Sequence, residues 1–268
     1  MKNLILVTND DGIKSPGIIA AAQALRGLGE VVVVAPREQQ SSAGRAFYWK
    51  SHQHARKYPF RAGDENLLAY ALDASPAVAA RYALHLIAQR RPALVVSGIN
   101  YGENLGSGLT ISGTVGAALE AAAFGVPALA VSLQTAAEYH TSYSTAVDFR
   151  AAAHFVRLFA RQVLRNELPA GVQLLNINVP THATTRTPWR VTRASAQSYF
   201  HSIVNKGRFV GYDVKVDVET LEPDSDIQAL FVDHMVSVSP LALDLTARVK
   251  LTELEKALNA HPTRKSRD

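Results

Sequence analysis

Four short stretches in the first half of the chain are continuously apolar: Leu4–Val7, Val31–Val34, Leu94–Val96 and Leu129–Val131. Each is too short for a helix and is bounded by turn-forming residues, so each predicts a strand buried on both faces. Between them the spacing predicts helices over Pro16–Leu28, Pro76–Arg90, Gly113–Phe124 and about Thr145–Leu164. Ser15-Pro16 and Ser75-Pro76 each place a capping hydroxyl before a proline at the first helical position. Leu174–Val179 predicts a later strand that Pro180 ends. Alternating strands and helices predict an α/β fold, a mainly parallel sheet with helices on both faces. Beyond about residue 185 the texture changes. Tyr212–Val218 and Met235–Ser239 alternate apolar and polar, as half-exposed strands do. Thr252 and Glu255 have capping-box spacing and predict a short helix through Leu258. Residues 1–185 therefore read as one core, and 186–268 as an extension of β-hairpins and a C-terminal helix that makes oligomer contacts.

Composition narrows the classes. The 268 residues are 47% hydrophobic and 19% charged, enough to bury a sizeable core and unlike a disordered chain. Cysteine is absent, which excludes disulfides, thiolate metal sites and cysteine nucleophiles. The net charge of +5 lies partly in the tail Arg264-Lys265-Ser266-Arg267, so it argues little for nucleic-acid binding. The apolar run after Lys2 is shorter than a signal core, and Val115–Leu133 is broken by Glu120 and Pro127. A cytoplasmic protein without a membrane span is expected.

In an open parallel sheet, ligands bind beyond the carboxyl ends of the strands. Four polar segments sit there: Thr8-Asn9-Asp10-Asp11-Gly12, the stretch after Pro36 through Ser41, Ser97-Gly98-Ile99-Asn100, and Ser112-Gly113-Thr114 at a helix start. Adjacent carboxylates repel unless a cation or proton offsets them. With Ser41 and Asn100, Asp10 and Asp11 form an oxygen-only set suited to a hard divalent cation. An Asp-Asp-Gly turn reads equally as a solvated Asx turn. Ser112-Gly113-Thr114 offers free N–H groups and hydroxyls to an anion, though it also suits a plain cap. His52 and His54 have metal-ligand spacing without a carboxylate partner and read as solvated surface. His85 reads as packing or surface, and Asp73 as a complement to a helix dipole. A nucleophile elbow, a P-loop and His-Glu-x-x-His are absent from the sequence.

Thr8-Asn9-Asp10-Asp11-Gly12-Ile13, Ala35-Pro36 leading to Ser41, Ser97-Gly98-Ile99-Asn100, Asn104-Leu105-Gly106, Ser112-Gly113-Thr114-Val115, Asn176–Pro180 and Ser237–Thr246 together resemble the SurE family of nucleotidases, over nearly the whole chain. The resemblance implies a Rossmann-like three-layer α/β/α core with hairpin and helical extensions exchanged between subunits of a homodimer or homotetramer. It implies a divalent-metal-dependent phosphatase of the 5'/3'-nucleotidase type, cleaving nucleoside monophosphates to nucleoside and phosphate by metal-activated water. One divalent cation per subunit is implied, Mg²⁺ or Mn²⁺, with Ca²⁺ able to stand in in crystals, held by Asp10, Asp11, Ser41 and Asn100. Asn9 and Ser112-Gly113-Thr114 match positions lining the phosphate, and Asp10, Asp11 and Asn9 would carry catalysis. Three departures stand out: Ile111 where the family has His or Tyr, Ala74-Ser75-Pro76 for Gly-Thr-Pro, and Ala77-Val78-Ala79 where Asp-Cys is usual. No stable nucleic-acid complex is expected. A nucleotide-sugar-dependent transferase and a non-catalytic nucleotide- or RNA-binding protein remain as competing readings.

Overall fold

The computed structural model describes residues 2–49, 54–165 and 168–259. His52 and the basic tail at 264–267 lie outside them. Strands β1 (Leu4–Thr8), β2 (Glu30–Pro36), β3 (Arg56–Lys57), β4 (Phe60–Ala62), β5 (Glu65–Leu72), β6 (Leu94–Tyr101), β7 (Ala128–Leu133) and β8 (Leu174–Val179) are interleaved with helices α1 (Pro16–Leu25), α2 (Pro76–Tyr82), α3 (Gly113–Ala123) and α4 (Arg150–Arg165). Then come β9 (Trp189–Val191), β10 (Phe200–Asn205), β11 (Arg208–Val214), β12 (Val236–Leu241) and α5 (Leu251–Asn259). One large sheet runs in the order β3-β5-β2-β1-β6-β7-β8-β12-β9, with β4 beside β5. The six strands from β5 to β8 are parallel; β3 and β4 pair antiparallel to β5, and β12 pairs antiparallel to β8 and parallel to β9. Segments from beyond residue 185 thus enter the same sheet as the core strands.

Strand alternation divides the core. Ile5, Val7, Val31 and Val33 meet α1 and α4 on one face, through Ile18, Leu25, Phe155 and Val156. Leu4, Leu6, Val32 and Val34 meet α2 and α3 on the other, through Val78, Val115 and Ala118. The continuous apolar runs exist because both faces are covered.

Several elements differ from the sequence pattern. Helix α1 stops at Leu25, just before Gly27 at φ +78°. Helix α2 ends at Tyr82 and widens into one further turn over Ala83–Ile87. Helix α4 starts at Arg150, where the Asp148 carboxylate accepts from the Arg150 N–H at 2.9 Å. The strand expected at 212–218 runs instead from Arg208 to Val214. It folds back on β10 through Lys206 and Gly207, both at positive φ, and ends where its partner begins, with Phe200 opposite Val214. Helix α5 begins at Leu251, so Thr252 lies inside it rather than capping it. Strand β5 has no counterpart in the sequence reading.

From β1 the chain works outward to β2 and β5, then returns to β6 and proceeds the other way to β7 and β8. The strand order reverses between β1 and β6, which opens a crevice at their carboxyl ends. The register sets Thr8 beside Ser97, so the residues that follow β1 and those ending β6 face each other there.

Candidate metal and phosphate site

Asp10, Asp11, Ser41, Asn100, Ser112 and Gly113 all line one cleft of about 420 Å³ at this crevice. Backbone bonds tie the contributing loops together: Gln40 N–H donates to the Asp10 carbonyl at 2.7 Å, and Gly44 N–H to the Ile111 carbonyl at 2.9 Å. Arg45, four residues after Ser41, pairs with the buried Glu120 carboxylate of α3 at 2.8 Å, and Arg81 shares that carboxylate.

The two aspartates are buried, and each is held from a different side. The Thr114 hydroxyl donates to Asp10 Oδ1. Asp11 Oδ1 accepts from Gln39 Nε2 at 3.1 Å, and Oδ2 from the Tyr101 backbone N–H at 3.2 Å. Gly113 is required beside Asp10: a Cβ there would lie 2.7 Å from the Asp10 Cβ and 2.8 Å from its Oδ2. Burial pushes the Asp10 carboxyl up to about 6, against the opposing pull of the Thr114 hydrogen bond. Burial, then the neighbouring Asp10 charge, holds Asp11 well above the usual carboxylate range. A cation beside them would favour their charged forms.

Asn100 completes the oxygen set. Its amide nitrogen donates to the carbonyls of Tyr101 at 3.1 Å and Gly102 at 2.7 Å, which leaves the side-chain oxygen as the end for a cation. Ser41 sits on an exposed turn at the cleft rim. Among the described residues no three His, Asp or Glu side chains cluster as a metal site. Two carboxylates with one amide and one hydroxyl fit a hard divalent cation that keeps water in its remaining positions.

Three residues singled out from sequence do other work. Asn9 is fully buried and spends both ends of its amide on Gly12: Nδ2 donates to the Gly12 carbonyl at 3.0 Å and Oδ1 accepts from its N–H at 3.1 Å. It braces the Asp10–Asp11 turn and is not among the side chains lining the cleft. Thr114, also fully buried, directs its hydroxyl at Asp10 rather than at an anion. The Ser112 hydroxyl caps α3 by accepting from the Val115 N–H at 3.1 Å, yet it borders the cleft with Gly113. Ile111, 60% exposed, is an apolar rim residue beside them. The other candidates fall away from the cleft: His54 and His85 are exposed, and Asp73 pairs with Arg37 at 3.0 Å. Ser75 keeps the cap expected of it, accepting from the Val78 N–H at 3.2 Å.

The sequence reading missed part of the cleft's lining. His140, Phe200 and Tyr212 line the cleft too, as do the buried Glu103 and the half-buried Asn104. Asn104 is locked by Asn176 and Asn178 of β8, both donating to its carbonyl, at 2.9 and 3.0 Å. Asn176-Ile177-Asn178 was legible as a strand; its second task, holding a loop that lines the cleft, joins positions 72 and 74 apart.

Comparison with known proteins gives a consistent picture. The family model for survival protein SurE matches residues 5–201. The 5'-nucleotidase SurE of Thermococcus kodakarensis is 41% identical over 262 residues, covering 96% of this chain and 99% of the relative. That of Methanocella arvoryzae is 40% identical, covering 95% and 97%. The crystal structure of SurE protein from Aquifex aeolicus superposes with a TM-score of 0.73 at 30% identity, covering 95% of this chain and 99% of that one.

Proposed function

Because this chain belongs to the SurE family, we propose that it is a nucleotidase, a phosphoric monoester hydrolase that converts nucleoside monophosphates, 5'-nucleotides first among them, to nucleoside and phosphate. The observation that carries this reading is the buried Asp10–Asp11 pair opposite Asn100 and beside the N-terminus of α3, all in one cleft. We assign Asp10, Asp11, Ser41 and Asn100 to one divalent cation, Mg²⁺ or Mn²⁺. When bound, such a cation polarises a phosphoryl oxygen and makes a water acidic enough to attack near neutral pH.

The chain's own residues do the rest. Thr114, Gln39 and the Tyr101 N–H fix three carboxylate oxygens before substrate arrives, so no reorganisation is spent on them during turnover. The Ser112 hydroxyl and the Gly113 N–H at the positive end of α3 border the cleft and face the phosphoryl oxygens as charge spreads over them. One aspartate of the pair takes a proton from the attacking water, whose oxygen bonds to phosphorus as the ester P–O bond breaks, and the leaving oxygen takes up a proton from solvent so that the nucleoside departs as an alcohol. Asn9 holds the turn that presents both acids. We also propose that the protein works as a homo-oligomer in the cytoplasm, with residues 186–268 making the subunit contacts. The test is phosphate release from a panel of nucleoside monophosphates with Mg²⁺, Mn²⁺ or chelator. Release that needs the cation is expected; binding without release under any divalent ion would contradict the assignment.

A further inference from the structure

The cleft's lining is of two chemical kinds. Part of it carries the acids and the tip of α3; another part is an aromatic wall that the hydrolytic chemistry does not use. His140, in the segment after β7, lies nearly parallel to Tyr212 of β11, with ring centroids 5.9 Å apart and planes at 17°. Phe200 of β10 meets Tyr212 edge-on at 5.2 Å and His140 at 6.3 Å. All three line the same cleft as Asp10 and Asn100.

This wall is locked in place. His140 Nδ1 pairs with the Tyr212 hydroxyl at 2.5 Å, and Nε2 with the Thr135 carbonyl at 3.1 Å. Gln39 Nε2, which also binds Asp11, donates to the His140 carbonyl at 2.6 Å, so the wall is tied directly to the acids. Gly102, two residues after Asn100, must be glycine for the imidazole to sit there: its φ is +93°, and a Cβ would lie 2.6 Å from His140 Nε2. Burial lowers the affinity of His140 for protons, so near neutral pH the ring is an uncharged π surface.

We propose that His140, Tyr212 and Phe200 form a stacking platform for the nucleobase of the substrate. The inference rests on the nucleotidase reading and deepens it. A planar aromatic ligand gains most from such a wall, because stacking needs a rigid face rather than matched donors and acceptors. Both His140 ring nitrogens and the Tyr212 hydroxyl are already committed within the protein. The wall therefore reads ring faces and not base edges, and it accepts all four bases.

The test compares AMP, GMP, CMP and UMP with ribose 5-phosphate, which carries the same ester without a base, in the full-length protein with Mn²⁺. For Tyr212→Leu and His140→Ala, the ratio of kcat/KM for each nucleotide to that for ribose 5-phosphate is expected to fall about tenfold or more. Tyr212→Phe, which keeps the ring, should stay near the wild-type ratio; a merely structural loss would lower both substrates together and leave the ratio unmoved. Adenosine binding, measured without metal or turnover, should weaken in Tyr212→Leu. Wild-type ratios and wild-type adenosine affinity in Tyr212→Leu and His140→Ala would overturn the platform. Absence of phosphate release from every ester by the wild-type protein would instead sink the nucleotidase reading, with adenosine binding still deciding the platform.

Discussion

Asp10 and Asp11 are expensive residues: two buried acids in sequence, each raised by desolvation and Asp11 further by its neighbour's charge. A cation binds their ionised forms, so binding must expel whatever protons they hold. Because burial raises both carboxyls above the ordinary carboxylate value, Asp10 to about 6, affinity for Mn²⁺ is expected to rise with pH through that range. It should drop at least about tenfold from pH 7.5 to pH 5. Calorimetry in buffers of different ionisation enthalpy should record proton release; affinity independent of pH would contradict the arrangement. Asp10→Ala should abolish cation binding and turnover together. Thr114→Val replaces the hydroxyl that orients Asp10 with a methyl and should weaken cation binding about 10- to 100-fold, the range for residues behind a metal ligand, with the fold intact by circular dichroism. The Asp-Asp pair was legible because like charges at a strand end demand an explanation within the local sequence. The tasks of Asn9 and Thr114 were not, since each depends on which of several nearby polar groups its short side chain meets. His140 gave no signal at all: its partner Tyr212 is 72 residues away.

At the scale of elements, the buried strands announced themselves because apolar runs of four or so residues between turns have few alternatives. Strand β5 did not: Glu65–Leu72 carries three Leu and two Ala among its eight residues, a make-up that suits a helix as well as a strand, and its place beside β2 comes from tertiary pairing, not from propensity. The end of β11 was misplaced because alternation continues to Val218 while its partner strand does not. Asp226 ties the Gly106 loop, which follows β6 in sequence, to the segment at Ser195. This fully buried carboxylate accepts from the backbone N–H groups of Gly106 at 3.0 Å, Ser195 at 2.9 Å and Ile227 at 2.8 Å. Asp226→Ala would leave those donors unpaired and should lower unfolding free energy by about 3 kcal/mol or more in urea titration. A change below about 1 kcal/mol would show that water replaces the carboxylate.

Over the whole molecule, the large sheet and its helices bury their apolar faces, while the β10–β11 hairpin and α5 leave apolar side chains exposed. Phe209 is 80% exposed on the β10–β11 hairpin, and Leu251, Leu254 and Leu258 all lie open on α5, which buries no residue. Such surface on a folded chain marks an interface. The full-length protein is therefore expected to run as an oligomer in light scattering, and Phe209→Asp with Leu258→Asp to shift it toward smaller species; a wild-type monomer at micromolar concentration would contradict this. Among the described residues no helix is long and apolar enough to cross a membrane. Everything catalytic in this account depends on four distant segments meeting around one ion at the β1–β6 crevice. The direct measurement is an anomalous difference map from crystals soaked in Mn²⁺. It should show one strong peak within coordinating reach of Asp10, Asp11, Ser41 and Asn100. A map with no peak among those four residues, from protein that hydrolyses nucleotides in the same Mn²⁺ solution, would contradict the claim.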